Sequence, residues 1–161
     1  MKKIILGTAL AIVAAAPALA QPNPNLRPFS GTLTLGAGFS GDPRTIPVTA
    51  GGGNDLNLSE VRDHCTGYIS DRPDFRLNYR AGDGFPLIFS VDAPVDTTLV
   101  VNGPDGRWYC NDDRNSGDVD PAIRFTSPQS GQYDVWIGTF QRYEPRDLPR
   151  ARLFISEVRA H

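Results

Sequence analysis

The chain has 161 residues, with 16 Lys+Arg against 18 Asp+Glu, 40% hydrophobic residues, 16 Gly, 14 Pro and 2 Cys. This slightly acidic balance excludes a nucleic-acid binder or a polybasic membrane-surface protein, because neither could gather enough phosphate contacts. After residue 20 no apolar run approaches the roughly 18–20 residues that a spanning helix needs, so no membrane span is expected in the mature chain.

The opening segment has the form of a secretory signal peptide. Lys2 and Lys3 precede an almost unbroken apolar run from residue 4 to residue 15, and Ala18-Leu19-Ala20 is a small-residue cleavage signature. Cleavage after Ala20 is expected, which makes the protein periplasmic or extracellular. Both lysines leave with the signal, so 16 basic residues become 14 against 18 acids and the net charge moves from −2 to −4. The remaining length suits one domain with its own core. Its first part, residues 21–29, is polar and rich in proline, and is expected to be an extended, mobile leader ahead of a folded domain at residues 30–161.

From residue 30 onward the pattern is short alternating segments separated by turn residues. Residues 32–35 alternate, and residues 45–49 form a second short strand that Pro47 assigns to an edge or bulge. Gly51-Gly52-Gly53-Asn54-Asp55 reads as a flexible loop with little to pack. Residues 75–79 place Phe75, Leu77 and Tyr79 on one face. Residues 86–91, 97–101 and 107–110 follow, rich in β-branched and aromatic residues. Asn102-Gly103-Pro104-Asp105-Gly106 between the last two is a strong hairpin signal. Residues 122–126, 132–138 and 151–157 complete the set, and the best helical candidate is about one turn at residues 57–63. Eight or nine short strands at this spacing predict an all-β chain, a single β-sandwich of jelly-roll type.

Cys65 and Cys110 are the only cysteines. An even count in a chain bound for an oxidising compartment makes one disulfide the natural reading. A redox pair or metal ligation is the alternative, although the two lie far apart and outside any C-x-x-C. Phe75, Tyr79, Phe89, Phe125 and Tyr133 are expected in the core. Trp108 and Trp136 are expected on opposite sides of the strand ladders, with one against the disulfide.

Several blocks carry a family likeness. These are Cys65-Thr66-Gly67-Tyr68-Ile69-Ser70 with Pro73-Asp74-Phe75, the run Asp96-Thr97-Thr98-Leu99 with Asn102-Gly103-Pro104-Asp105-Gly106 leading into Trp108-Tyr109-Cys110-Asn111-Asp112-Asp113, and Ser130-Gly131-Gln132-Tyr133-Asp134-Val135-Trp136-Ile137-Gly138-Thr139 with Leu153-Phe154-Ile155-Ser156-Glu157. Together they resemble exported bacterial proteins related to the pre-peptidase C-terminal (PPC) domain, β-sandwich modules of the same broad type as collagenase collagen-binding domains. The likeness runs over about residues 31–157. It implies a non-catalytic module, of a kind that usually accompanies secreted proteases, whereas here it extends over nearly the whole expected mature chain.

Residues 111–120 are the densest polar cluster, with four carboxylates (Asp112, Asp113, Asp118 and Asp120) and two side-chain amides. Ca2+ takes six to eight oxygen ligands from irregular loops, so these four are the candidate metal ligands, joined by Asp96 or Asp105 if neighbouring loops converge. The spacing is not that of an EF-hand, and related sandwiches bind calcium at loops. A solvated loop whose Asp and Asn residues cap turns explains the same residues. A second constellation, His64, Asp96 and Ser116, stands in the order of a serine-protease triad. No G-D-S-G-G block accompanies it, and the chain is too short for two six-stranded barrels. Arg142, Arg146, Arg150 and Arg152 surround a proline-rich loop, where Glu144 and Asp147 can neutralise them. The reading that follows is a non-enzymatic exported module that binds another secreted protein or an envelope polymer, with a small serine-type hydrolase as the alternative.

Overall fold

A computed structural model describes residues 22–56, 65–115, 117 and 119–161. Eleven strands lie among these residues: β1 (Thr32–Gly36), β2 (Arg44–Thr49), β3 (Asn54–Asp55), β4 (Tyr68–Ile69), β5 (Phe75–Arg80), β6 (Leu87–Asp92), β7 (Thr97–Asn102), β8 (Trp108–Asn111), β9 (Ala122–Phe125), β10 (Gly131–Thr139) and β11 (Arg150–Ser156). Nine of them match the strands expected from alternation. β3 and β4, of two residues each, do not, because pairs that short leave no periodic trace. The expected all-β sandwich is the architecture observed. No helix among the described residues is long and apolar enough to cross a membrane.

The strands form two sheets. The smaller has the order β2-β11-β6-β9, and it places Pro47 on an edge strand, where a residue without an N–H costs no ladder hydrogen bond. The larger has seven strands and is organised around β10. One side of β10 pairs along Asp134–Thr139 with β7, which continues to β8. The other side is shared: β5 pairs with Gly131 to Val135, and β4 pairs only at Thr139. Between them, at Ile137, the ladder has a gap. β1 lies beyond β5 and runs parallel to it.

Alternation decides what fills the space between the sheets. Phe75, Leu77 and Tyr79 of β5, with Leu99, Val101, Tyr133, Val135 and Ile137, face Leu87, Phe89, Val91, Leu153 and Ile155 across the sandwich. On their opposite faces β7 and β10 bury Val100 and Trp136, with Thr98 and Asp134 buried too, because the outer face of the large sheet is also covered. There Leu56, Cys65, Ile69, Val100 and Trp136 form a second cluster, with Trp108 and Cys110 against it. The two tryptophans therefore share one face, with ring centroids 5.1 Å apart, rather than flanking the ladder. The register explains this: Trp108 is opposite Asn102, two positions from the Val100–Cys110 pair, and Val100 is opposite Trp136. Cys65 and Cys110 are joined as a disulfide, with Cα atoms 5.9 Å apart.

The glycine run is not the loosely packed loop its composition predicts. It carries the chain from the small sheet to the large one: the Ala50 amide donates to the Pro149 carbonyl (2.9 Å) and the Gly51 amide to that of Ile137 (2.8 Å). A Cβ on Gly52 would stand 2.1 Å from the Ile69 carbonyl carbon, so the backbones touch there and only glycine fits. Gly52→Ala is expected to cost about 1–3 kcal/mol, in the range for overpacking, read as a lower denaturation midpoint. Gly53→Ala is the control, because a Cβ there meets nothing within 4 Å.

Candidate functional site

A cavity of about 570 Å3 opens where the chain crosses between the sheets. Four segments line it: Phe29 and Ser30 ahead of β1, residues 51–53, residues 70–72 with Asp74 ahead of β5, and residues 142–145 with Leu148 between β10 and β11. The segment ahead of β1 is held by specific hydrogen bonds. Asn23, Phe29 and Ser30 donate backbone amides to the carbonyls of Asp71, Pro73 and Asp74, and the Arg76 guanidinium donates to the Pro24 and Leu26 carbonyls. Phe29 presents an exposed ring beneath the Arg72 guanidinium, which lies 4.9 Å from its centroid.

Asp74 is the buried polar member of the lining, at 3% exposure. Its position follows from the ladder gap. The Asp74 amide donates to the Val135 carbonyl (2.8 Å), and its carboxylate Oδ2 accepts from the Ile137 amide (2.7 Å). The side chain thus supplies the acceptor that a neighbouring strand would have supplied, while the Ile137 carbonyl accepts from Gly51. Burial pushes the Asp74 carboxyl well above the usual carboxylate range, against the opposing pull of the Ile137 hydrogen bond.

Three acids are buried among the described residues, and the other two are fully served. Asp134 accepts from Arg76 Nε at Oδ1 and from Gln132 at Oδ2, both at 2.6 Å. Glu157 accepts from the Tyr79 hydroxyl (2.6 Å) and, through both oxygens, from the Gly38 amide (3.1 and 2.9 Å). Among the described residues nothing donates to Asp74 Oδ1.

A raised carboxyl pKa stabilises the fold below the group's unfolded value, and that contribution is lost as pH rises through the folded one. Asp74 therefore contributes less to stability towards neutral pH than it does in acid. Asp74→Asn keeps an acceptor for the Ile137 amide, and its Tm should exceed that of the parent at about pH 7, with the difference shrinking towards pH 4. Parallel pH dependences of the two melting curves would contradict this.

The acidic loop lies elsewhere, beside the disulfide. The Thr66 hydroxyl donates to Asp112 Oδ2 at 3.3 Å, and Asn111 holds the Ala122 amide (2.9 Å) and the Asp113 carbonyl (2.9 Å). Burial first, and then the charges of Asp113, Asp112 and Asp120, push Asp96 upward, so the Asp96 loop does converge on this cluster. Asp105 does not. It follows the far end of β7, roughly 20 Å along a six-residue strand, and there accepts from the Tyr109 hydroxyl (2.7 Å) and the Arg107 amide (3.0 Å). Asp118 lies outside the described residues. Among those described, no group of three or more His, Cys, Asp or Glu side chains is placed to hold a metal ion. His64 and Ser116 also lie outside the described residues. Of the arginines, Arg146 pairs with Asp147 (3.6 Å) and Arg152 with Asp92, as expected for a self-neutralised surface, while Arg142 lines the cavity.

Neither Asp74 nor Phe29 is a candidate site residue by sequence: Asp74 stands there only within a family-like block and Phe29 at the end of the leader, and nothing local marks the Asp74 carboxylate as buried.

The fold and cavity define a disulfide-bonded β-sandwich with a concavity at a gap in its larger sheet. No protein-family profile matches the chain, nor does any curated protein. Among the solved structures similar to it are two from bacteria. One is the pre-peptidase C-terminal domain of a collagenase from Bacillus anthracis, with 12% identity over 82% of this chain and 100% of that one, and a TM-score of 0.45. The other is PliG of Aeromonas hydrophila, a periplasmic lysozyme inhibitor of g-type lysozyme, with 14% identity, 78% and 96% coverage, and a TM-score of 0.39. The first is a domain of the kind that the sequence blocks resemble.

Proposed function

We propose that the chain is a non-enzymatic exported module that binds another secreted protein or an envelope polymer through the cavity at the sheet gap. The observation that carries this reading is Asp74, a buried carboxylate with an unserved oxygen in a cavity of ligand-binding size. One oxygen serves the fold by accepting from the Ile137 amide, but the other serves no group among the described residues, and a buried carboxyl costs stability where it is left without a partner. The disulfide agrees with export, because such bonds persist in oxidising compartments.

The test is a cavity block. Gly53 lines the cavity and a Cβ there meets nothing within 4 Å, so Gly53→Trp is the blocking variant, with an unchanged Tm as the check that the fold accepts it. Immobilised parent protein is expected to retain specific components of an envelope extract that Gly53→Trp, melting at the same temperature, does not. Identical retention by both, or hydrolysis of the retained components by the parent alone, would overturn the reading.

Calcium support at the acidic loop is a separate part of the proposal. The charges that raise Asp96 are those a cation would offset, and Asp112, Asp113, Asp118 and Asp120 are the proposed ligands, although the three described ones are not placed to hold an ion by themselves. A ligand that binds only the folded state stabilises it by about 2.7 kcal/mol at a hundredfold excess over Kd, several degrees in Tm for a domain of this size. Millimolar calcium is therefore expected to raise Tm over EDTA in the parent, but not in Asp112→Ala/Asp113→Ala. An unchanged parent Tm would return the loop to a solvated turn.

A further inference from the structure

We infer that the cavity takes the cationic side chain of a lysine or arginine on the partner, its charged head seated on the free oxygen of Asp74. This rests on the binding-module reading and names the chemistry of its ligand. The three buried acids decide the sign of the charge. Asp134 has its own arginine and glutamine, and Glu157 has a tyrosine and a backbone amide. Asp74 has one backbone amide on one oxygen, and its other oxygen is unserved among the described residues while the residue lines the cavity. An anionic ligand would meet the ionised carboxylate unfavourably, and a neutral one can hydrogen-bond to it without offsetting its charge, so a cation gains most from the ionised form.

The walls suit a long stem with a charged tip. Phe29, Tyr143 and Leu148 offer apolar and aromatic surface for the methylenes of such a side chain. Gly51 and Gly52 contribute no side chains to narrow the passage. At the mouth the charges balance, Asp71 and Glu144 against Arg72 and Arg142, and Arg72 is stacked on Phe29. Long-range attraction is thus small, and discrimination falls to the buried carboxylate.

Binding and protonation are consequently linked. Burial holds the Asp74 proton on more tightly than usual, and a seated cation displaces it, so affinity tightens as pH rises through the Asp74 titration. The charged or titratable groups around Asp74 are Asp71, Arg72, Arg142, Tyr143 and Glu144 of the lining, while β10 presents backbone at Val135 and Ile137.

The test is a two-dimensional amide NMR titration of the protein purified after export, with blocked five-residue peptides of alanine bearing one central lysine, arginine, norleucine or glutamate. The lysine or arginine peptide is expected to shift the Ile137 amide, which donates to Asp74, and to bind about tenfold or more tightly than the norleucine peptide. Asp74→Asn should abolish that preference while melting no lower than the parent at pH 7, which separates lost binding from lost folding. Equal binding of lysine and norleucine peptides, tighter binding of glutamate, no binding of either cationic peptide at millimolar concentration, or a preference that survives Asp74→Asn would each overturn the inference. If Gly53→Trp loses its envelope ligands but Asp74→Asn keeps them, the cation assignment alone fails. If Gly53→Trp keeps them, the binding reading fails first.

Discussion

Reduction of the Cys65–Cys110 bridge, or its replacement in Cys65→Ser/Cys110→Ser, is expected to destabilise the protein by about 4 kcal/mol. The two residues are 45 positions apart, and on the chain-entropy account a loop of that length restricts the unfolded chain by about this amount. The bridge also sits in the cluster of Leu56, Ile69, Val100 and Trp136 on the outer face of the large sheet, and ties Cys65 to β8. Loss of the bond should therefore loosen the cover over Trp136, which is fully buried. Urea denaturation with and without reductant, followed by tryptophan fluorescence, measures both effects. A drop of roughly 10 °C or more in Tm should accompany the change. An unaltered midpoint after verified reduction would show that this cluster holds without the bond.

Phe89→Ala carries the other large expectation, a loss of about 3–5 kcal/mol. Phe89 is fully buried on β6 and joins an aromatic group that spans the two sheets. Its ring lies 6.2 Å from Phe125 on its own sheet and 5.8 Å from Tyr133 on the opposing one, and Phe125 and Tyr133 are 5.3 Å apart. Truncation would leave a cavity bounded by strands on both sides, with little freedom to collapse. Tyr133 is itself fixed at its far end, because its hydroxyl donates to the Gln129 carbonyl (2.8 Å) and accepts from the Gln129 amide (3.0 Å). Phe89→Leu should recover much of the loss, by retaining most of the apolar volume. Chemical denaturation of the pair separates a packing effect from a general intolerance of change on β6, and equal losses would refute the packing account.

Alternation made most of the sandwich legible. Phe75, Leu77 and Tyr79 face the core, as the period-two pattern of β5 requires, and Pro47 marks an edge strand for the reason proline always does. The turn Asn102-Gly103-Pro104-Asp105-Gly106 joins β7 to β8, with the Gly103 amide donating to the Arg107 carbonyl at 2.9 Å. Less legible were the tryptophans. Period-two reasoning assigns a residue to a face only once its strand's partners are known, and Trp108 and Trp136 lie on strands joined through β7. The glycine run was misread because composition records what residues lack. Residues 51–53 have no side chains to pack, yet their bareness lets two backbones meet at Gly52 and Ile69.

By itself, then, the sequence determined the all-β class, the hairpin at residues 102–106, the pairing of the only two cysteines and the crowding of acids into residues 111–120. Each of these depends on local periodicity, local turn chemistry or simple counting. Only the tertiary structure decided where a function could reside. Asp74 becomes a site residue because β10 outruns β5, leaving the Ile137 amide to a side chain and one carboxylate oxygen to the cavity. Burial and an unfilled hydrogen-bonding position depend on what surrounds a residue from distant parts of the chain. Here those parts are residues 29–30, 51–53 and 142–148, and no stretch of sequence around Asp74 carries their positions.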